Sequence, residues 1–365
     1  MEHVYDITAF GAVGDGVTDS TAAVQAAIDK AASHGYAKVV VPPGVYSVGR
    51  IHLHGQYIAL EGCSAWSFRN DGASVFTLNT ADTDCMIDIT GAFGCAIRGM
   101  CLQGNGLGEN VHGIKLYWDK YNGGSEEDTP CIDDCRVGGF SGDGLHFEHV
   151  WCFSVRHSMM HRNKGCGLFI DGWDGFIIDN WFTANGNGGI HGGVVVASIT
   201  CTGNRVEWNQ RGGFILPFGD SFNFTGNFFD RSFGPAIELG TDTTFVDLVT
   251  VTGNIFRRSG ALREGASFAS PDMSTHLLLK NCRNTTVIGN TMRVGRNDGG
   301  GGILSPNYSF IIADAQDCII KDNTMARGAL VENVVLRGDN STSIIKNNIG
   351  ALATQETTTG SELLN

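Results

Sequence analysis

The stretch Thr202–Leu216, TGNRVEWNQRGGFIL, returns in altered form as TGNFFDRSFGPAIEL at Thr225–Leu239 and again as VTGNIFRRSG from Val251. Aligning the asparagines that follow each short apolar run extends the series. Asn180, Asn204, Asn227, Asn254, Asn290, Asn323 and Asn348 are separated by 24, 23, 27, 36, 33 and 25 residues. A period near 23 suits one coil of three short strands and three turns. Stacked coils pair each strand with its equivalent in the next coil, which gives parallel sheets. The asparagines then stack at one bend, where their amides bond along the axis and an Asn tolerates left-handed backbone.

Strand side chains alternate, so this register assigns faces. Two places after the asparagines stand Phe182, Val206, Phe229, Phe256, Met292 and Met325, all expected to point inward. Three places after stand Thr183, Glu207, Asp230, Arg257, Arg293 and Ala326, all expected to point outward. The expected fold is all-β: a single-stranded, right-handed parallel β-helix over residues 51–350. Residues 1–50 form an N-terminal strand and capping α-helix, and 351–365 a loosely held polar tail. The helix is TAAVQAAIDKAASHG, with Ser20 or Asp19 capping its start and Gly35 closing it. Three longer intervals mark insertions: Tyr117–Pro130, Ala261–His276 and Gly295–Ser309. Insertions in a solenoid often wall a binding groove.

Composition agrees with many short strands and tight turns. The 365 residues hold 51 glycines and 7 prolines, with 42% hydrophobic residues. Glycine lacks the three-residue period of collagen. A formal charge of −13 argues against a nucleic-acid partner. No apolar run is long enough for a membrane span. The eleven cysteines read as small buried hydrophobes of a reducing compartment. Cys152, His157, His161 and Cys166 lack paired C-x-x-C spacing, so no metal or other cofactor is expected. The opening MEHVYDITAF carries no secretory signal pattern, so the expectation is a cytoplasmic protein. A phage particle, or secretion followed by signal removal, are the alternatives.

YDITAFGAVGDGVTDSTAAVQAAIDKA, followed by VVVPPGVY, resembles the opening of the pectin-lyase-like right-handed β-helix superfamily. It is similar to the pectate-lyase-3 and phage-tailspike branch. The C-terminal rungs, with FIIADAQDCIIKDNTMARG after a Gly-rich insertion, resemble inulin fructotransferases. The resemblance implies a carbohydrate-active protein, a helix over the open end of the coil and a homotrimer. It does not choose the reaction. Asp133-Asp134 matches one polygalacturonase element, but the G-H-G, R-I-K and W-I-D-H signatures are absent.

Equivalent outward positions in neighbouring rungs lie roughly 5 Å apart. Glu207 and Asp230 are such a pair, at a spacing suited to a retaining glycosidase or transferase. A second column, eleven places after the asparagines, holds His191, Ile215 and Glu238. The expected catalytic residues are therefore Glu207, Asp230 and Glu238. Those expected to bind an oligo- or polysaccharide are His191, Trp208, Asp220, Arg257, Trp181 and Asp174, the tryptophans as platforms for sugar C–H faces. The competing reading of the Glu207 column is a self-neutralising polar face, since Arg257 follows Asp230 and Arg205 lies beside Glu207. A uronate lyase with Arg257 or Arg293 as base and a glycan-binding spike are the alternatives.

Overall fold

The computed structural model describes residues 3–63, 66, 68–117, 129–261, 270–294, 305–350, 353–355 and 362–364. Half or more of each insertion lies outside the described residues. The chain divides into two units, residues 1–181 and 182–365, and both are parallel β-helices.

In the first unit each coil contributes a strand to three faces. One face stacks Ile51–His52, Cys85–Asp88, His112–Tyr117, Leu145–Trp151 and the first part of Cys166–Ile178. The second stacks His3–Asp6, Ala37–Val40, Ile58–Glu61, Ala96–Arg98, Cys131–Asp133, Ser154–Arg156 and the end of Cys166–Ile178. The third runs from Asp15–Asp19 through Gly44–Val48, Ser74–Leu78, Met100–Gln103 and Arg136–Gly138 to Met159–His161. The one α-helix among the described residues, Thr21–Ala32 (α1), buries Val24, Ala27, Ile28 and Ala31 against the first strands. Asp19, rather than Ser20, receives its first-turn amide: Oδ1 accepts from the Thr21 N–H at 3.0 Å. Ser20 instead bonds the Val13 backbone, so its hydroxyl is diverted to the entering chain. Gly35, at φ +66°, closes the end through the Ala31 carbonyl.

The second unit repeats the pattern of three faces. Short strands Arg205–Glu207, Phe228–Asp230, Ile255–Arg257 and Thr291–Arg293 form one ladder. Phe214–Leu216, Ile237–Leu239, Thr275–Lys280, Tyr308–Ala313 and Glu332–Arg337 form another. The third holds Gly219–Thr225, Val246–Thr252, Thr286–Ile288, Ile319–Lys321 and Ile344–Lys346. Phe182, Val206, Phe229, Phe256, Met292 and Met325 are all within 1% of complete burial, as alternation requires.

The asparagine ladder is continuous from Asn204 to Asn348. Each Oδ1 accepts both the backbone N–H and the Nδ2–H of the asparagine one coil earlier. For Asn227 over Asn204 these distances are 2.9 and 3.0 Å. The same pattern joins Asn254, Asn290, Asn323 and Asn348. The left-handed residue of the bend is the one before the asparagine, not the asparagine itself. Gly203, Gly226, Gly253 and Gly289 have φ between +64° and +69°. Placing the twist one residue earlier leaves the asparagine amide aimed along the stack.

Within the tail, residues 353–355 and 362–364 are strands in register with Val334–Leu336 and Ile344–Lys346. One sequence expectation is corrected. The outward column three places after the asparagines is not uniformly exposed. Arg257, Arg293 and Ala326 are exposed, but Thr183, Glu207 and Asp230 are 6%, 4% and 1% exposed.

Candidate functional site

Glu207 and Asp230 are direct partners in the parallel register, as the asparagine phase required. Alternation predicts the direction in which they leave the strand, but not what lies over them. The turn residues after each strand, Trp208, Arg231 and Arg258, adopt left-handed backbone at φ +60°, +57° and +54°. Two of their side chains fold back over the column. Arg258, itself 3% exposed, places Nε 2.8 Å from Asp230 Oδ1 and its terminal nitrogen 2.5 Å from Oδ2. Arg231 reaches the same carboxylate and lies over the Trp208 ring at 4.9 Å. Arg205 pairs with Glu207 at 3.0 Å. Burial raises the Asp230 pKa and the Glu207 charge adds to this, against the pull of Arg258 and Arg231. This is the geometry of the self-neutralising column, covered as well as paired.

Glu238 is in register with Ile215, which is in register with His191, as the eleven-place column requires. It belongs to a different face from Glu207 and Asp230, so the three expected catalytic acids do not share one ladder. Arg211 holds Glu238 at 2.7 Å. The column continues into Leu278, which is buried with Met273, Ile311 and Val335. Asp220 is exposed and takes the Ser221 hydroxyl at 2.7 Å. Arg257 and Arg293 line an open cavity of about 520 Å³ with Phe228, Ile255 and Thr291. Trp181 and Asp174 lie in the first unit. Trp181 stacks on Trp66 with centroids 6.3 Å apart, and Asp174 accepts from the Trp151 indole N–H at 2.6 Å.

A titratable cluster that the sequence reading missed occupies the first face of the first unit. Lys115 is in register with His146, and His146 with Phe169. Two places on, Tyr117 is in register with Glu148, and Glu148 with Asp171. The His146 ring lies between those of His112 and Phe169, at centroid distances of 4.1 and 4.8 Å. Its Nδ1 is 2.7 Å from Asp143 and its Nε2 2.7 Å from Glu148. Burial pulls its pKa down, but the bonds to Asp143 and Glu148 outweigh it and the net direction is upward. Burial likewise pushes Asp143 up, and is overcome by hydrogen bonds from His112, His146 and the Cys166 N–H, leaving it well below the usual carboxylate range. His112 Nδ1 lies 3.0 Å from the Asp143 backbone nitrogen and 3.4 Å from its carboxylate. Lys115 sits 2.9 Å from Asp84, which also pairs with Arg50. Tyr117 is 40% exposed at the edge of this set.

Donor atoms of His112, Asp143 and His146 lie within 4.8 Å of one another. The Nδ1 of each histidine is already engaged by Asp143, so the arrangement reads as a hydrogen-bonded proton site rather than an ion cage. The signal in the sequence was DGLHFEHVW, residues 143–151, where His146 and Glu148 alternate onto one face. That alternation was legible; the asparagine phase used for the later rungs does not extend to it.

The comparisons with known proteins bear on both units. Residues 4–211 match the family model described as rhamnogalacturonase A/epimerase, pectate lyase-like, and residues 192–363 match that of the right-handed β-helix region. The chain belongs to the rhamnogalacturonase A/epimerase, pectate lyase-like family. Mannuronan C5-epimerase AlgE4 of Azotobacter vinelandii is 30% identical over 191 residues, covering 48% of this chain and 32% of that protein. The chain spans about a third or less of the length of the curated relatives it matches. Among solved structures, the A-module of the same AlgE4 superposes with a TM-score of 0.69 at 18% identity, covering 98% of this chain and 99% of that one. DFA-IIIase from Arthrobacter chlorophenolicus A6 does so with a TM-score of 0.62 at 14% identity, covering 95% and 94%. These two likenesses establish the right-handed β-helix. Among the described residues, no helix is long and apolar enough to cross a membrane.

Proposed function

We propose that this chain is a carbohydrate-active enzyme working on a uronate-bearing polysaccharide, and that its reaction begins by removing the proton from C5 of a uronate unit. The observation that carries this reading is His146, held on an outward face between two carboxylates with Lys115 and Tyr117 on the adjoining rung. The mannuronan C5-epimerases among the relatives support the substrate class.

The chemistry needs three things. The carbanion formed beside the sugar carboxylate must be neutralised, a base must take the C5 proton, and an acid must supply one. Lys115 and the imidazolium of His146 supply positive charge where the uronate carboxylate would lie. The Tyr117 oxygen, its own proton first given up to solvent, takes the C5 proton, His146 delivers one to the opposite face of the ring, and a proton passing through solvent from Tyr117 to His146 restores both groups. The C5–H bond breaks, a new C5–H bond forms with inverted configuration, and no bond in the polymer backbone is cut. Asp143 and Glu148 are positioning residues that hold His146 charged and oriented.

A second reading keeps the paired acids: hydrolysis or transfer by Glu207 and Asp230, supported by their direct register. One experiment separates the two. Polymannuronate and polygalacturonate are incubated with the protein in D₂O. Deuterium at C5 without new reducing ends is expected, and His146→Gln and Tyr117→Phe are expected to abolish it. New reducing ends without C5 exchange, retained in His146→Gln, would replace this reading with the acid pair. Unsaturated uronate seen by ultraviolet absorbance would keep the C5 step but make its outcome elimination.

A further inference from the structure

On the third face of the first unit, Leu102, Gln103, Arg136, Gly138 and His161 contribute to a pocket of about 260 Å³. This face is distinct from the one that carries His146. Two arginines line it, Arg136 and Arg162, and among the described residues no carboxylate does. Several other arginines of this strongly acidic chain are set against carboxylates, as in Arg50–Asp84, Arg98–Glu61, Arg211–Glu238 and Arg258–Asp230.

The arginines are differently placed. Arg136 is 6% exposed and anchored by the Arg69 carbonyl at 2.7 Å and by the Asn70 side chain. Arg162 is exposed and lies over the Phe68 ring at 5.2 Å. Between them stands His161, which Phe68 meets edge-on at 5.3 Å. Burial, with Arg136 and Arg162 nearby, lowers the His161 pKa to about 4, so the ring is neutral at pH 7. Its Nδ1 is sealed from solvent and has no hydrogen-bond partner among the described residues. The ring sits so close to Gly138 that a Cβ there would lie 2.4 Å from Nε2, so the absence of a side chain at 138 makes the pocket. Asn70, Gln103 and Asn105 add amides to the rim. Phe68 also meets Trp181 edge-on, and Trp181 stacks on Trp66, so an aromatic shelf adjoins the opening.

Guanidinium groups pair with carboxylates through two parallel hydrogen bonds, amides and a neutral imidazole suit hydroxyls, and aromatic rings take the apolar face of a sugar. The volume falls below the roughly 300–1,000 Å³ of drug-sized sites, which fits one ring rather than a length of polymer. We propose that this pocket binds a single acidic sugar unit of a saccharide, its carboxylate on Arg162 and Arg136 and its ring against Phe68. The site is built from observations separate from those at His146 and stands or falls without the C5 chemistry.

The test is a titration of the full chain followed by the imidazole resonances of His161. Trimers of mannuronate and galacturonate are added in turn, with neutral mannotriose and inorganic sulfate as controls. At least one uronate trimer is expected to shift the His161 signals and saturate. Arg162→Gln, at an exposed position, is expected to weaken that binding about tenfold or more, the loss of one charge-assisted contact. His146→Gln is expected to leave it unchanged, and Arg162→Gln to leave C5 exchange on a short oligomer unchanged, so the two sites fail separately. The proposal is overturned if neither uronate trimer moves His161, if Arg162→Gln binds as tightly as wild type, or if mannotriose binds as tightly as the uronates. Sulfate saturating the same signals at equal concentration would also overturn it, showing a simple anion site.

Discussion

Arg258→Met tests whether the Glu207–Asp230 column is structural. In the native chain Asp230 is 1% and Arg258 3% exposed, and the two share a bidentate contact at 2.8 and 2.5 Å. Removing one partner of a buried ion pair costs about 3–5 kcal/mol, because the other charge stays buried without it. Arg231 still reaches Asp230, so the lower end applies, about 3 kcal/mol. Replacing both partners, as Asp230→Leu with Arg258→Met, removes the stranded charge as well as the attraction. Such exchanges are often neutral, so the double variant should return to within about 1 kcal/mol of wild type. Arg231 stays solvated enough, at 18% side-chain exposure and over Trp208, to tolerate the loss. Urea unfolding gives the free energies. Stacked coils can unfold in parts, so hydrogen exchange at residues 228–230 and 255–257 checks that the loss is local. C5 exchange per folded molecule should be unaffected by any of these variants. The reasoning is refuted if Arg258→Met costs less than about 1 kcal/mol while Asp230→Asn abolishes turnover in a fully folded chain. The column would then be catalytic machinery.

Two further outcomes follow from the same contacts. Asn227→Ala strands the Asn204 N–H and the Cys201 carbonyl, each served by the Asn227 amide at 2.9 Å, and should cost about 2–4 kcal/mol in urea unfolding. Asn348→Ala, at the half-buried end of the ladder, should cost about 1 kcal/mol, and equal losses at both positions would contradict a ladder that strengthens inward. The folded His146 has a pKa above its usual 6.5 and Asp143 one below its usual 3.8. His146 therefore adds stability that is complete below pH 6.5 and lost as pH rises through its folded value, while Asp143 adds stability present above pH 3.8 and lost as pH falls below it. Unfolding free energy measured against pH should show the alkaline loss in wild type and not in His146→Gln.

The fold was legible because its signal is periodic and redundant. Seven asparagines at related intervals, with an apolar residue two places after nearly all of them, fix both the coil and its inward face. A strand that alternates onto a packed core has one register open to it. The bend was readable only to within a residue. TGN contains two residue types that accept left-handed backbone, and the ladder resolves the choice, since only the asparagine can bond along the axis while glycine turns.

The site was less legible, and the reason is geometric. Register tells which outward side chains are neighbours, and it did so correctly for Glu207 with Asp230 and for His191 with Ile215 and Glu238. Whether a neighbour pair meets solvent depends on turn residues whose side chains reach back over the strand, and no period governs those. Arg258 differs from the exposed Arg257 only by being one residue later, past the point where the backbone turns left-handed. The same displacement hides Asp230 and frees Arg257 to face the open cavity. On the first unit the rule operates in reverse. DGLHFEHVW carries His146 and Glu148 on alternate positions with Tyr117 on the rung before, and among the described residues no turn arginine pairs with them. What separates a buried ion ladder from a reactive outward face in this fold is thus the side chain at the corner. An arginine placed at the bend just after Glu148 should quench C5 exchange without touching His146. His149 follows Glu148 with left-handed backbone at φ +57°, as Arg258 follows Arg257 at +54°, so His149→Arg is the direct form of the experiment. Exchange that survives the substitution, in a chain that still folds, would show that the corner residue does not control access.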